Sequence, residues 1–436
     1  MDAKRLPFQL PSRSRASQIA DWKPRPCRFT GSRRLDRDSG TEAKWRLHER
    51  TTPAGERERM GEGAPNRGDT GPERASRVAL IGLGMVARTH MRALRDGRCV
   101  TLAAIHARDP DRASAFARAC EDEGAGTPRI HRTLDDLAAS DDLDFAILAT
   151  PPDARAPIID ALVDARIPVL MEKPVERTLR AARAIVERCK TAGVPLGIVL
   201  QHRARNAARR LATMLGNEAL GTVGMVDVRV PWWRGQAYYD EPGRGTFARD
   251  GGGVLISQAI HTLDLMLALL GPVESVQASA ATTRLHAMEA EDHVTAGLGF
   301  ASGAVGSLVA STAAYPGGAE SIVVHGTRGS ATLLADRLVI RWRDGREEVH
   351  GENGDDGEAA GTGGGADPMA FTHAWHQGVI EDFADAIREG RAPLVTGREA
   401  LRVHALIDAL LESSAEGRRV IVPREGEGTR MGEGER

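Results

Sequence analysis

The chain has 436 residues, 41% apolar and 27% charged, which fits a two-domain globular protein and excludes a collagen-like or wholly disordered one. Its net charge of −2 hides a basic stretch, 17 Lys and Arg against 11 Asp and Glu in residues 1–76, on an acidic remainder of 41 against 49. No basic patch with interleaved aromatics argues for nucleic acid, and no apolar run approaches the roughly 18 residues of a membrane span. Four scattered cysteines, Cys27, Cys99, Cys120 and Cys189, form neither a CxxC pair nor a metal-like Cys/His cluster, which points to a reducing, cytoplasmic setting and no metal.

Residues 1–75 are rich in Arg, Gly, Pro and Ser and bury too little apolar surface to offset their ordering entropy. A disordered extension is expected there, or a start codon assigned too far upstream, with Met60 as the alternative. Ser32-Arg33-Arg34 is followed by charge rather than an apolar stretch and does not read as an export signal. From Arg77 the pattern becomes regular. Residues 78–81 read as a buried strand, a helical period runs through Leu94, and 101–105 form a second strand. Helices over 113–120, 158–165 and 179–190 alternate with strands near 130 and at 145–150, 169–171 and 196–200. That alternation predicts an α/β, doubly wound parallel sheet over 76–200. After Gln201 the rhythm changes to a helix near 204–215, a strand at 223–230, an aromatic loop, and a glycine run opening an apolar helix over 254–270. Strand-like runs from 275 to 342 then follow without intervening helices, as in an antiparallel meander. Helices near 375–389 and 398–414 and a strand at 420–422 complete a second, α+β domain over 201–423. Residues 351–367 read as a flexible Gly/Asp/Glu-rich loop and 424–436 as a disordered tail.

Gly82-x-Gly84-x-x-Ala87 after the first strand fits a dinucleotide fingerprint. Gly82 permits the tight turn, Gly84 lets a pyrophosphate approach the backbone, and Ala87 lets the helix pack closely. The helix N-terminus then offers N–H groups to phosphate. At the end of the second strand Ala107 replaces the acid that grips the ribose 2′-hydroxyl of NAD, and Arg108 follows it. A small residue and an arginine favour NADP over NAD, unless Arg108 is only a turn residue beside a capping Asp109. Glu172-Lys173-Pro174 ends the fifth strand at the carboxyl edge, where such sheets bind ligands. Lys173 can donate to a substrate oxygen there or be drawn to its neutral form. Gln201-His202-Arg203, ending the sixth strand, points to the same cleft. Gly251-Gly252-Gly253 removes side chains, so that a backbone can come close to a bound substrate or cofactor. His261, four residues beyond Ser257 on the helix so launched, is placed to shuttle a proton. Trp232, Trp233, Arg234, Tyr238, Tyr239 and Arg244 precede the run and offer aromatic faces and donors to a sugar, although core or interface packing of the two tryptophans accounts for them equally well.

Gly82-Leu83-Gly84-Met85-Val86-Ala87, Thr150-Pro151-Pro152, Met171-Glu172-Lys173-Pro174 and the run from Gly251 to His261 occur in an order that resembles the Gfo/Idh/MocA oxidoreductases, from about Arg77 to Pro423. These are the glucose-fructose oxidoreductase and inositol dehydrogenase relatives. The resemblance implies a Rossmann domain followed by an α+β domain with a large, mostly antiparallel open sheet that supports homodimers or homotetramers. It implies NADP or NAD held by Gly82, Leu83, Gly84, Met85, Val86, Arg108, Thr150, Pro151, Glu172 and Lys173. Lys173 is implied to lie beside nicotinamide and substrate, the bond before Pro174 to be cis, and His261 to be a general acid/base, with Ser257, Trp233, Arg234, Tyr239 and Arg244 around the substrate. The implied activity is hydride transfer between the nicotinamide and a sugar, sugar-derivative or cyclitol hydroxyl. Two rival readings are an enzyme that keeps its nicotinamide bound for redox-assisted hydrolysis or paired oxidation and reduction, and a non-catalytic nucleotide-dependent regulator. Many members place an aspartate four residues before the histidine; Ser257 has no carboxylate with which to raise imidazole basicity.

Overall fold

A computed structural model describes residues 74–351 and 371–423. The extension before residue 74, nearly all of the loop expected at 351–367 and the tail at 424–436 lie outside the described residues. β1 (Ser76–Ile81), β2 (Val100–His106), β3 (Arg129–His131), β4 (Phe145–Leu148), β5 (Val169–Glu172) and β6 (Leu196–Val199) pair in parallel in the order β3-β2-β1-β4-β5-β6. β4, β5 and β6 are buried at every position, as strands covered on both faces must be. The strand order reverses between β1 and β4, which opens a crevice at their carboxyl ends. Local chemistry sets the intervening helices. Asp109 caps Pro110–Asp122 by accepting from the backbone N–H groups of Asp111 and Arg112, and Thr178 caps Leu179–Ala192, which ends on a left-handed Gly193.

The second sheet has nine strands: β7 (Val223–Pro231), β8 (Val273–Ala281), β9 (His293–Phe300), β10 (Val305–Ser311), β11 (Ser321–Gly326), β12 (Gly329–Leu334), β13 (Arg337–Trp342), β14 (Glu347–His350) and β15 (Val420–Ile421). Their order is β14-β13-β12-β11-β7-β10-β9-β8-β15. All pairs are antiparallel except β7 with β10. Burial alternates along β7, with Val226, Val228 and Val230 inside and Met225 outside, so one face is covered and the other open. Helices Asn206–Gly216, Ile260–Leu270 and Gly397–Glu416 lie on the covered face.

One helix departs from the chain order. Ala374–Glu389, expected within the second domain, packs against the first sheet. Phe383 meets Phe145 of β4 edge-on at 5.2 Å, and a Cβ on Gly197 of β6 would fall 2.7 Å from the Phe383 ring. Val379, Ile380 and Ala384 complete the apolar cluster that holds Val78 and Leu80 of β1. At its rim Glu381 accepts from the backbone N–H and the guanidinium of Arg98. The helical period of this segment reveals that one stripe is apolar, but carries no information about which core that stripe covers. Among the described residues no helix is long and apolar enough to cross a membrane.

Candidate active site

A cleft of about 1440 Å³ follows the carboxyl ends of the first sheet to the helix that carries His261. It exceeds the roughly 300–1,000 Å³ of a single small-ligand pocket, so it has room for a dinucleotide and a second molecule. At one end Gly82 adopts φ +92°, and any Cβ there would lie 2.8 Å from the Ala149 and Thr150 backbone, so close strand contact demands the glycine. A Cβ on Gly84 would meet nothing within 4 Å among the described residues, which leaves a backbone cradle open to the cleft. The helix Ala87–Arg95 behind it has no side-chain cap; the Ala87 N–H bonds the Gly84 carbonyl, the other N–H groups of the first turn are left for an anion, and the buried Thr150 Oγ1 has no partner among the described residues. A dinucleotide pyrophosphate fits this set of donors. Gly82, Leu83, Gly84, Met85, Val86, Arg108, Thr150, Pro151, Glu172 and Lys173 all line the cleft.

Lys173 lines the cleft, and its bond to Pro174 is cis. Its Nζ donates to the backbone carbonyl of Ser257 at 2.5 Å. Burial, assisted by the Arg155 and Arg234 guanidinium groups and opposed by Glu172 and Asp250, draws its ammonium down to about 8. Beneath it lies a buried trio. His90 Nε2 donates to Glu172 Oε1 at 2.8 Å, and His376 Nε2, from the helix that crossed to the first domain, lies 3.7 Å from the same oxygen. Burial alone would raise the Glu172 carboxyl, but the hydrogen bond and positive potential of His90 bring it down to about 2. The trio has a metal-like ligand set, yet both Nδ1 atoms lack partners among the described residues, whereas a metal-bound imidazole ordinarily donates its second N–H. It is an anchor for Glu172. Arg155 is the other anchor. Fully buried, it donates to the carbonyls of Thr150, Glu172 and Pro174, joining both halves of the cleft floor.

The glycine run does not serve a ligand. A Cβ on Gly251 would sit 2.7 Å from the Arg177 backbone, and one on Gly253 would sit 1.8 Å from the Glu291 carbonyl oxygen. The close neighbour is the protein itself, which corrects the expectation that substrate or cofactor approaches this backbone. Glu291 clasps the turn, its carboxylate accepting from the N–H groups of Gly253 and Leu255, both at 3.1 Å, and its carbonyl from Val254 at 2.8 Å. An anion at a helix start is favoured there. Glu291→Gln retains the volume but loses the charge and one acceptor; about 1–3 kcal/mol of unfolding free energy should go with it, read from a urea titration, and an unchanged midpoint would mean the clasp is dispensable.

The helix begins as a π turn, Leu255–Ala259, before becoming α-helical over Ile260–Leu270. Ser257 reaches the cleft through its carbonyl, while its hydroxyl donates back to Gly253 O at 2.8 Å. His261 lines the cleft, buried, with Nδ1 lacking a partner among the described residues. Its ring lies 5.0 Å from that of His202, another cleft residue. Asp264 does not meet His261, because Arg203 takes both its carboxylate oxygens at 2.7 Å.

Of the residues expected around the substrate, Ser257, Arg234 and Arg244 line the cleft, and Trp233 and Tyr239 do not. Trp233 packs between His286 and Tyr315, and the Tyr239 hydroxyl is spent on Thr312 Oγ1 at 2.6 Å. Their neighbours Trp232 and Tyr238 take the cleft positions, with Arg244 stacked 4.5 Å over the Tyr238 ring. One-residue alternation decides which of two adjacent aromatics faces inward, and an irregular loop carries no period from which to read it. Arg155, His90, His376 and Glu291 had no sequence signal, each acting across 17 to 82 residues or more.

Residues 76–199 match a family described as the oxidoreductase family, NAD-binding Rossmann fold, and residues 208–332 match the GFO/IDH/MocA C-terminal domain. D-apiose dehydrogenase from Paraburkholderia graminis is 29% identical over 362 residues, covering 78% of this chain and 88% of that protein. Inositol 2-dehydrogenase from Rhizobium meliloti is 26% identical, covering 79% and 99%. The WlbA dehydrogenase from Bordetella pertussis, solved in complex with NADH and UDP-GlcNAcA, is 29% identical, covers 81% of this chain and 100% of its own, and superposes with a TM-score of 0.66. The chain belongs to the Gfo/Idh/MocA family of oxidoreductases, carrying the NAD-binding domain and the C-terminal domain of that family in order.

Proposed function

We propose that the chain is an NADP-preferring dehydrogenase of a sugar, sugar derivative or cyclitol. The carrying observation is that one cleft is lined both by the open Gly84 cradle and by a donor-rich set, Lys173, His202, His261, Trp232, Tyr238, Arg234 and Arg244. Aromatic faces cover sugar C–H surfaces, and arginines and imidazoles meet hydroxyls. The relatives named for apiose, inositol and a sugar nucleotide support the same substrate class. When bound, the nicotinamide accepts hydride from the substrate carbinol carbon. Gly82, Gly84 and the first helix would hold the pyrophosphate, Thr150 and Glu172 would face the remainder of the cofactor, and Lys173 and His261 would bracket the reacting oxygen. A panel of pentoses, hexoses, inositols and UDP-sugars, followed by reduced-nicotinamide absorbance with each cofactor, tests the reading; no turnover across the panel with a competent, cofactor-binding protein would overturn it.

NADP is preferred because the carboxylate nearest the end of β2, that of Asp109, is committed to capping its helix. Arg108 and Arg112 line the cleft there and are exposed. NADPH should bind at least about tenfold more tightly than NADH, and Arg108→Ala should cut that preference to a few-fold. Fluorescence titration reads both, and equal or tighter NADH binding would refute the assignment. For assembly, the open face of the nine-stranded sheet presents exposed Met225 and, opposite it in register, Val305, together with Val309. This face is proposed to join copies into a homodimer or homotetramer. The three described cysteines are all free thiols, which supports a cytoplasmic setting.

A further inference from the structure

Taking residues 232–244 as the substrate wall of the dehydrogenase proposed above, we infer that His286, held by Asp292, is a positioning residue for that wall and thereby sets substrate affinity. His286 does not line the cleft; it is buried in the connection between β8 and β9. Both of its ring nitrogens are committed. Nε2 lies 2.7 Å from the Arg234 carbonyl oxygen, and because a carbonyl only accepts, Nε2 carries a proton and donates it. Nδ1 lies 2.8 Å from Asp292 Oδ2. Asp292 is itself fully buried and fixed on every side. Its carboxylate accepts from the Thr283 N–H and hydroxyl, both at 2.7 Å. Its backbone donates to Ala281 O at 3.1 Å and accepts from the Thr312 N–H at 2.9 Å. A carboxylate on one ring nitrogen orients the ring and directs the other nitrogen, so the imidazole meets Arg234 from a rigid mount.

The wall is docked on this mount by several contacts. The Arg234 N–H donates to Thr312 O at 2.9 Å and its carbonyl is taken by His286, so both backbone polar groups of Arg234 are fixed. Gln236 pairs with Ala287 in both directions, Oε1 accepting from the N–H at 2.8 Å and Nε2 donating to the carbonyl at 3.2 Å. The Trp233 and Tyr239 rings lie 5.6 and 4.9 Å from the His286 ring. These two aromatics pack on the mount, and Trp232, Arg234, Tyr238 and Arg244 line the cleft. Within the wall the backbone bonds are local, Tyr238 N to Gly235 O and Asp240 N to Gln236 O, so its placement depends on these anchors. Glu291, next to Asp292, clasps the start of the His261 helix, so one connection mounts both the wall and the helix.

Two substitutions separate positioning from packing. In His286→Gln the amide nitrogen stands near the place of Nε2 and reaches the Arg234 carbonyl; in His286→Asn it stands near that of Nδ1 and meets Asp292 alone. Hydrogen–deuterium exchange of the full chain without substrate reads the wall, so its outcome is separate from whether a substrate is ever found. Expected for His286→Asn is exchange about tenfold faster or more over residues 234–244, with residues 76–106 unchanged, while His286→Gln stays within about threefold of wild type. Equal exchange in the two variants, or faster exchange throughout the chain, would overturn the inference. With a substrate in hand, His286→Asn should raise KM about tenfold and keep kcat and the Kd for NADPH within about threefold, and His286→Gln should restore KM. A fall in kcat at unchanged KM would equally overturn it. In wild type, where no variant has to fold, long-range proton–nitrogen NMR of the histidine-labelled chain should show His286 protonated at Nε2; a ring bare at Nε2 would remove the contact on which the positioning rests.

Discussion

Lys173→Ala is expected to lower kcat by about 10²- to 10⁴-fold, the range a positioned acid or base supplies, while the Kd for NADPH stays within a few-fold of wild type. The separation follows from where the side chain ends. Its Nζ is held by the Ser257 carbonyl on the second domain's helix, whereas the proposed pyrophosphate cradle is Gly84 and the uncapped first helix. In wild type, alcohol oxidation should climb with pH through about 8, because the neutral amine grows as pH rises through its lowered midpoint, and carbonyl reduction should fall through the same range. Steady-state kinetics in both directions and a binding titration check this. A variant that keeps near wild-type kcat would remove Lys173 from the chemistry.

The second large effect concerns acid. Four buried histidines are held neutral: burial draws His404 down to about 4 and His376 to about 3, and His202 and His261 well below the ordinary range. His404 Nε2 accepts from the Val175 N–H at 3.3 Å, a contact only the unprotonated nitrogen can make. The folded-state values lie below the unfolded value of about 6.5, so the stability these residues contribute is complete above that pH and is lost as pH falls toward 4 and 3. By pH 5 the loss is on the order of 2 kcal/mol for each of His404 and His376, and His202 and His261 add to it in the same direction. The total is a sizeable fraction of the 5–15 kcal/mol that typically holds a domain folded. The melting temperature should therefore be roughly 10 °C or more lower at pH 5 than at pH 7.5, as measured by calorimetry. A flat profile down to pH 5 would show that these imidazoles are already protonated or can be hydrated at little expense.

Regular periodicity made the scaffold legible. β1, β4, β5 and β6 were foreshadowed by short apolar runs between helical stretches, because strands buried on both faces leave that signature. Gly82, Gly84, Lys173 and His261 were legible for a different reason: each has a chemical requirement tied to a local position, a turn, an edge or a helix face. What escaped was long-range. Arg155 braces Glu172 and Pro174, His376 enters from a helix two hundred residues later, and Glu291 grips a turn that local sequence had assigned to ligand contact. A glycine announces that something comes close, but the identity of the neighbour is a tertiary fact. Asp264 illustrates the reverse case: it follows His261 by three residues on the same helix, yet Arg203, approaching from another segment, takes both of its oxygens.

The helix Ala374–Glu389 has a consequence for anyone dividing this chain. A fragment ending near residue 200 would carry the complete six-stranded sheet and the whole fingerprint, yet would leave Phe145 and Gly197 bare where Phe383 belongs. Such a piece would present a sticky apolar surface and lose the imidazole of His376 from beside Glu172. The smallest portable nucleotide-binding unit is therefore discontinuous, residues 76–200 joined to 371–391, and chimaeras that graft a foreign catalytic half should carry both pieces across together.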